Sequence, residues 1–426
     1  MCIERAVPSS VVESFSEDLE IPRTKPAKKT SDLGPASSVF AVFLCGVFAF
    51  LELYCTQPLL PLLSRYFRAS EASVGLTISA STLGVAVAAA LLAMFGERLD
   101  RKRTIIIAMS LLAATVALTA TARGLAELAV WRFFQGLLTP GVFTLTIAYI
   151  TEEWKPLQVP RVMSIYVAGT VFGGFVGRIS GGILAEHYGW RFMFVILALC
   201  GAGGAFLTSR ILKPGTRKPS RVDHASILTP MINNLRNPRL LATFGIGFCM
   251  LFTLVSSFSY VTFYLSSAPF YLSTSALSYL FSVYLVGLCA TLGVGTVLAR
   301  VGLRHGMLGA IALCVTGVLV TLIPSLVMVA VGLSVASAGV FIAQTCANSF
   351  LRDAAPGGAR VSAAGLYICS YYIGGTVAGV LPGLFWQHAG WPGCVALTCV
   401  LLLLIAAPLA FFGWRVRPAT LDPVSL

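Results

Sequence analysis

Short polar gaps divide the chain into apolar stretches of about 20 residues, the length that a helix needs to cross the hydrocarbon core of a bilayer. Apolar residues make up 57% of the sequence and charged residues only 11%, a balance typical of membrane proteins rather than of soluble domains. We therefore expect an all-α integral membrane protein. The stretches predict twelve transmembrane helices, at residues 38–60, 72–95, 103–121, 125–149, 162–184, 191–209, 239–261, 275–298, 306–323, 325–348, 362–385 and 392–413.

The basic residues indicate orientation rather than nucleic-acid binding, because they lie in the gaps between apolar stretches although the net charge is +13. Twelve spans place both termini on one side of the membrane, and most lysines and arginines fall on that side. The positive-inside rule then predicts two cytoplasmic tails, a disordered one at residues 1–37 and a second at 415–426. The exceptions are Arg65, Arg68, Arg123 and Arg191 on the opposite side, and Arg132 and Arg178 inside predicted helices.

A basic segment at residues 211–238 separates six predicted helices from the next six, and we interpret it as a cytoplasmic linker. Residues 166–190 resemble residues 367–391 at a constant offset, with glycines, a histidine and a tryptophan in matching places. This internal repeat predicts two pseudo-symmetric six-helix bundles, at residues 38–210 and 239–414, in which helices 5 and 11 occupy equivalent positions.

The gap after the second predicted helix reads G-E-R-L-D-R-K-R and resembles the cytoplasmic loop signature of the major facilitator superfamily. Gly96, Asp100 and Arg101 hold the places of that signature, although its second glycine is absent. The resemblance implies that these three residues form a conformational latch between neighbouring helix ends, since a carboxylate is favoured at helix N-termini and beside cations. The alternative is an ordinary basic turn that sets orientation.

Two further motifs resemble the same superfamily. In predicted helix 4, W-R-F-F-Q-G places Arg132 and Gln135 as in its R-x-x-q-G motif. Predicted helix 5 resembles the exporter motif G-x-x-x-G-P-x-x-G-G, but Gly174 replaces its proline and Arg178 its last glycine. Close helix packing also explains these glycines, and it is compatible with a role in the exporter motif. The glycines concerned are Gly169, Gly173, Gly174 and Gly177.

Within the superfamily, the segments 54–61 (Y-C-T-Q-P-L-L-P) and 269–273 (P-F-Y-L-S) resemble the YnfM-like branch, which is close to the drug–proton antiporters. The resemblance covers residues 38–414. It implies a transporter in which two bundles rock about a site near the bilayer midplane.

Three ionisable side chains lie inside predicted spans, where each is costly and therefore a functional candidate. Glu52 and Arg132 fall at similar depth, and the resemblance places their helices beside the central cavity. We predict that Glu52 carries protons and that Arg132 modulates its charge; alternatively, the two neutralise each other and fix helix packing. Arg178 is expected either to bind an anionic group or to bond backbone carbonyls.

Polar side chains on the helices expected to line the cavity are candidates for orienting a ligand through hydrogen bonds. The tyrosines among them have an alternative explanation as anchors at the membrane interface. The candidates are Gln57, Gln135, Thr139, Tyr260, Tyr264, Gln344 and Asn348.

The sequence contains no phosphate-binding loop, and its four histidines lack the spacing of metal ligands, so we expect no cofactor, no metal site and no enzyme activity. The leading hypothesis is a monomeric secondary transporter of the bacterial inner membrane that exports a small amphipathic or hydrophobic compound by proton antiport. Proton symport of a sugar or organic acid is the first alternative. A non-transporting membrane sensor is a second.

Overall fold

A computed structural model describes residues 36–216, 231–290, 293–355 and 360–413, and these residues are almost entirely helical. Leu402–Ala406 and Leu409–Gly413 extend the last helix in wider turns. The helices are α1 (Ala36–Leu51), α2 (Leu60–Phe67), α3 (Glu71–Phe95), α4 (Arg101–Ala120), α5 (Leu125–Glu153), α6 (Val159–Tyr188), α7 (Trp190–Ile211), α8 (Pro238–Ser266), α9 (Thr274–Leu280), α10 (Val283–Ala290), α11 (Val294–Val320), α12 (Leu326–Ala354) and α13 (Arg360–Leu401).

Nine helices in the described part of the chain are long and apolar enough to cross a membrane, which confirms the predicted all-α membrane fold. One of them, Ser362–Phe411, covers the last two predicted spans and bends at Gly390, where φ is 59°. The first and eighth predicted spans contain shorter apolar helices, Ala36–Leu51 and Thr274–Gly287. The full count of twelve spans therefore stays a prediction.

The first predicted span is a broken helix. α1 ends at Leu51, the chain leaves helical geometry after it, and a short turn leads into α2 at Leu60. Pro58 and Pro61 lie in the first residues of the short turn and of α2. Proline lacks the N–H that a helix interior needs and is favoured at helix starts, so this sequence restarts the helix rather than continuing it.

The same helix pairings occur in both halves of the chain. α1 packs on α6 as α8 packs on α13, and α4 packs on α5 as α11 packs on α12. α3 likewise contacts α5 as α10 contacts α12. This repetition agrees with the pseudo-symmetry that the sequence repeat predicts. The exact domain boundaries stay predictions, since residues 217–230 of the linker and most of both tails lie outside the described residues.

The two halves meet along α3 and α13 and where the end of α6 touches α9. Ser79 of α3 donates a hydrogen bond to the carbonyl oxygen of Thr376 at 2.5 Å. At the other contact, Glu186 of α6 accepts a hydrogen bond from the Ser275 N–H at 2.5 Å. Contacts between the halves are thus polar as well as apolar.

Glycines on α6 bring its backbone against that of α1. A Cβ added at Gly173 would overlap the carbonyl oxygen of Val47, and one at Gly177 would overlap that of Leu51. A Cβ at Gly174 would instead meet the flexible end of Arg178 at 3.2 Å. The first two glycines are therefore required for the close approach of α1 and α6, whereas Gly174 is not.

Gly177→Ala is expected to destabilise the protein by roughly 1–3 kcal/mol, because the new methyl group has to push α6 away from α1. A lower melting temperature of the purified protein would show this. Gly203→Ala is the matched control, since nothing lies within 4 Å of the added methyl group there. Equal melting temperatures for the two variants would contradict the required close approach.

Candidate functional site

A central cavity of about 400 Å³ lies between α1, α6, α8, α10, α12 and α13, so both halves of the chain contribute to it. Its volume is within the range of small-molecule sites, which is roughly 300–1,000 Å³. Most of the wall is apolar or aromatic, with Phe50, Leu251 and Phe341 as examples. The polar side chains of the wall are Tyr54, Thr170, Arg178, Tyr284, Gln344, Thr345, Asn348, Tyr371 and Tyr372.

Among the described residues that line this cavity, Arg178 of α6 is the charged one, and it is only 5% exposed. Its Nε donates to Gln57 Oε1 and its Nη1 to the Gly174 carbonyl oxygen, both at 2.8 Å. Among the described residues, its Nη2 has no hydrogen-bond acceptor. The side chain therefore bonds one carbonyl, as one of the two alternatives predicted, and keeps one donor nitrogen free.

Aromatic rings surround the Arg178 guanidinium. Its central carbon lies 4.8 Å from the ring centroid of Tyr54, 5.2 Å from that of Tyr284 and 5.4 Å from that of Phe281. Ring faces attract cations, most strongly where water is excluded. These rings stabilise the charge of Arg178 without neutralising it.

Arg132 of α5 is fully buried and caps the broken end of α1. Its Nη1 donates to the Glu52 carbonyl oxygen at 2.7 Å, and its Nη2 donates to the carbonyl oxygen of Leu53. Carbonyls at a helix end have no partner within the helix, and an unpaired carbonyl inside a membrane is costly. Nη1 also donates to Gln135 Oε1 at 2.6 Å, which fixes the guanidinium in this position.

Glu52 and Arg132 are neighbours, but the contact runs through the main chain of Glu52 and not through its carboxylate. The carboxylate points away from the cavity, towards α4 and α7. Its Oε1 lies 2.7 Å from the position that a Cβ on Gly201 would occupy, with Ala113 beside it. Oε2 is buried and has no hydrogen-bond partner among the described residues. The predicted side-chain pair is therefore absent in this conformation.

The predicted cavity residues fall into two groups. Gln344 and Asn348 line the cavity, and Gln57 lies behind Arg178, where its Nε2 also donates to Ser259 Oγ at 3.2 Å. Gln135 and Thr139 lie deeper in the first half and are not among the lining residues. The side chain of Gln135 accepts a hydrogen bond from Arg132, whereas Thr139 Oγ1 donates within α5 to the main-chain carbonyl oxygen of Gln135 at 2.7 Å.

The two tyrosines predicted on α8 hold helices together rather than line the cavity. The Tyr260 hydroxyl donates to the Gly379 carbonyl oxygen at 2.6 Å and joins α8 to α13. Tyr264 stacks on Trp391, with ring centroids 5.9 Å apart. The prediction missed four tyrosines that do line the cavity, Tyr54, Tyr284, Tyr371 and Tyr372. Tyr284, Tyr371 and Tyr372 lie near the middle of predicted spans, away from the membrane interface, and that position was the signal that could have found them.

The loop after α3 is held by contacts within the first half. Asp100 accepts a hydrogen bond from the Arg103 N–H at 2.7 Å and so caps the start of α4. Arg101 forms an ion pair with Glu152 at the end of α5, at 2.8 Å, and donates to the Gly96 carbonyl oxygen at 2.5 Å. The three predicted latch residues therefore tie together α3, α4 and α5.

The repeated bundles around a shared central cavity define a multi-pass membrane transport protein. Residues 42–299 match the family model of the Major Facilitator Superfamily, and the chain belongs to this superfamily. Relatives named as transporters agree with a transport role.

The chain is 28% identical over 367 residues to an uncharacterized transporter of Buchnera aphidicola subsp. Schizaphis graminum, covering 86% of this chain and 88% of the relative. It is 29% identical over 374 residues to the inner membrane transport protein YnfM of Escherichia coli, covering 87% and 89%. Its fold is similar to that of a bacterial homologue of the human lysosomal transporter Spinster in an inward-facing, unoccupied conformation, with a TM-score of 0.73. The two sequences are 18% identical, and the match covers 89% of this chain and 97% of the homologue.

Arg132→Gln is expected to destabilise the protein by about 2 kcal/mol, because it removes the guanidinium donors from two buried carbonyls and leaves that of Glu52 with only the weak thiol donor of Cys55. Glu52→Gln keeps both carbonyls and is the matched control, with a melting temperature close to that of the native protein. If Glu52→Gln were as damaging as Arg132→Gln, and the double variant no worse than either, the two side chains would form the pair that this conformation lacks.

Proposed function

We propose that the protein couples proton movement to export of a small amphipathic or hydrophobic compound, with the cavity around Arg178 as the substrate site and Glu52 as the proton-carrying group. The observation that carries the proposal is that one segment, between α1 and α2, belongs to both the proton site and the substrate site. Glu52 begins this segment, and Tyr54 and Gln57, which both contact Arg178, follow within it.

The surroundings of Glu52 suit a group that binds and releases a proton. The side chain of Glu52 is buried, and its Oε2 has no hydrogen-bond partner among the described residues, so a negative charge on this carboxyl is costly. Holding a proton removes that cost while the site is sealed. A conformational change that opens the packing of α1 against α4 and α7 gives the carboxyl access to water and releases the proton.

The broken segment connects this proton site to the cavity. Arg132 holds the main chain of Glu52 and Leu53, while Arg178 is held by Gln57 further along the segment. A substrate that reorganises the surroundings of Arg178 therefore moves residues that follow Glu52 directly in the chain. Energetic coupling between two sites requires a structural element that can adopt two arrangements and that contacts both sites. Residues 52–57 are our candidate for this element.

Rocking of the two halves is the proposed transport motion. The contact between the end of α6 and the start of α9, made through Glu186 and Ser275, would break in the alternate state. The proposal also includes a monomer in the bacterial inner membrane. The relationship to YnfM supports this membrane, and the distribution of basic residues supports cytoplasmic termini.

One observation keeps proton-coupled uptake of an organic acid as a second candidate function. Arg178 stands where the exporter motif has its last glycine, and it puts a positive charge into the cavity wall. The coupling argument from Glu52 holds for either direction. Only the sign of the proton flux separates antiport from symport.

Glu52→Gln is expected to abolish compound-dependent proton flux, because glutamine keeps the shape of the side chain and cannot release a proton. The measurement uses proteoliposomes with an internal pH-sensitive dye, an imposed pH gradient and a panel of small amphipathic acids, amines and uncharged aromatic compounds. Glu127→Gln, at the first turn of α5, is the control and should keep the flux. Undiminished flux in Glu52→Gln would remove Glu52 from the mechanism.

A further inference from the structure

The central cavity holds a positive charge, and no acidic side chain among the described residues of its wall balances it. Among the described residues that line it, Arg178 is charged and the other polar groups are hydroxyls and amides. Buried charges in proteins are normally paired, because an isolated charge in a medium of low dielectric constant is expensive. Arg132 is also buried without a carboxylate, but both of its Nη atoms donate to main-chain carbonyls, whereas Arg178 lines the cavity with its Nη2 unpaired among the described residues. We infer that the partner of Arg178 comes from outside the chain.

The geometry of Arg178 leaves room for that partner. Nε and Nη1 bind Gln57 and Gly174, and these two bonds orient the guanidinium, while Nη2 has no acceptor among the described residues. A guanidinium is a planar set of donors whose shape fits a carboxylate. Two hydrogen bonds that fix the plane of the donor reduce the ordering cost of binding such a group.

The rest of the cavity wall is suited to the apolar or aromatic part of a ligand whose carboxylate binds Arg178. Phe50, Phe341 and Leu251 supply apolar surface, and Tyr371 and Tyr372 supply rings with a polar edge. Across the cavity from α6, the amide of Gln344 provides donors for further oxygen atoms of a ligand. The lining thus combines one cation with a large aromatic surface.

We propose that the cavity binds a small aromatic carboxylic acid, with its carboxylate on the Arg178 guanidinium and its ring against the aromatic wall. This inference rests on the proposed transport function and names its substrate class. A charge-assisted hydrogen bond inside a protein is about twice as strong as a neutral one, so the acid should bind at least about tenfold more tightly than the amide of the same shape.

Calorimetric titration of the full-length protein in lipid nanodiscs with naphthoate and naphthamide tests this preference, without a pH gradient. Naphthoate should bind the native protein at least about tenfold more tightly, and Arg178→Gln should remove the difference. Arg178→Lys keeps the charge and should keep part of the difference. Arg191→Gln, at a residue that stacks on Trp190 outside the cavity lining, should keep all of it.

A second variant tests the charge without altering Arg178. Gln344→Glu places a carboxylate on the cavity wall, so it should weaken naphthoate binding about tenfold more than it weakens naphthamide binding. Each variant is compared only after its melting temperature shows that it is folded.

Three results would overturn the inference: equal binding of naphthoate and naphthamide to the native protein, a preference that survives Arg178→Gln, or binding of neither compound. The proposed transport function fails separately. If another compound drives a proton flux that Glu52→Gln abolishes, transport stands while the aromatic-acid substrate class is wrong.

Discussion

The capping of the broken α1 helix by Arg132 is the interaction on which the rest of the site depends. A chain that leaves helical geometry inside a membrane exposes carbonyl groups that neither lipid nor its own helix can satisfy. Arg132 supplies donors to the carbonyls of Glu52 and Leu53 from a neighbouring helix. Because these bonds replace the missing helical ones, the segment between α1 and α2 can hold a non-helical path and present Tyr54 and Gln57 towards Arg178.

Close packing of α6 on α1 fixes where that segment lies. Gly177 allows α6 to touch the last residue of α1, and a Cβ at Gly181 would lie only 2.9 Å from the carbonyl oxygen of Cys55, further along the break. Arg178 follows Gly177 directly, so the contact that positions the backbone also positions the guanidinium. The carboxyl of Glu52 leaves the segment on the other side, towards Gly201 and Ala113. One short stretch of chain thereby joins a buried acid on one face to a cation-lined cavity on the other.

The sequence was sufficient for the class of fold, because span length, the distribution of lysines and arginines and the superfamily motifs each depend on local composition. It also identified Arg178, Gln344 and Asn348, which line the cavity, since polar groups in apolar spans stand out. It could not give the direction in which a side chain points. Gln135 and Tyr260 lie on helices with suitable spacing but turn towards Arg132 and Gly379, and only the packing of neighbouring helices decides such facing. The apolar stretch also predicted one continuous helix where α1 breaks, although Pro58 and Pro61 could have indicated the restart at α2.

Proton coupling as we propose it requires that Glu52 holds a proton while its carboxyl is sealed between α1, α4 and α7. Infrared difference spectroscopy of the native protein and Glu52→Gln in nanodiscs at neutral pH tests this directly. A C=O stretching band of a neutral carboxylic acid should be present in the native protein and missing from the variant. A native spectrum without that band, together with a carboxylate band that disappears in Glu52→Gln, would mean that Glu52 is ionised in its buried site and would contradict its role as the proton carrier.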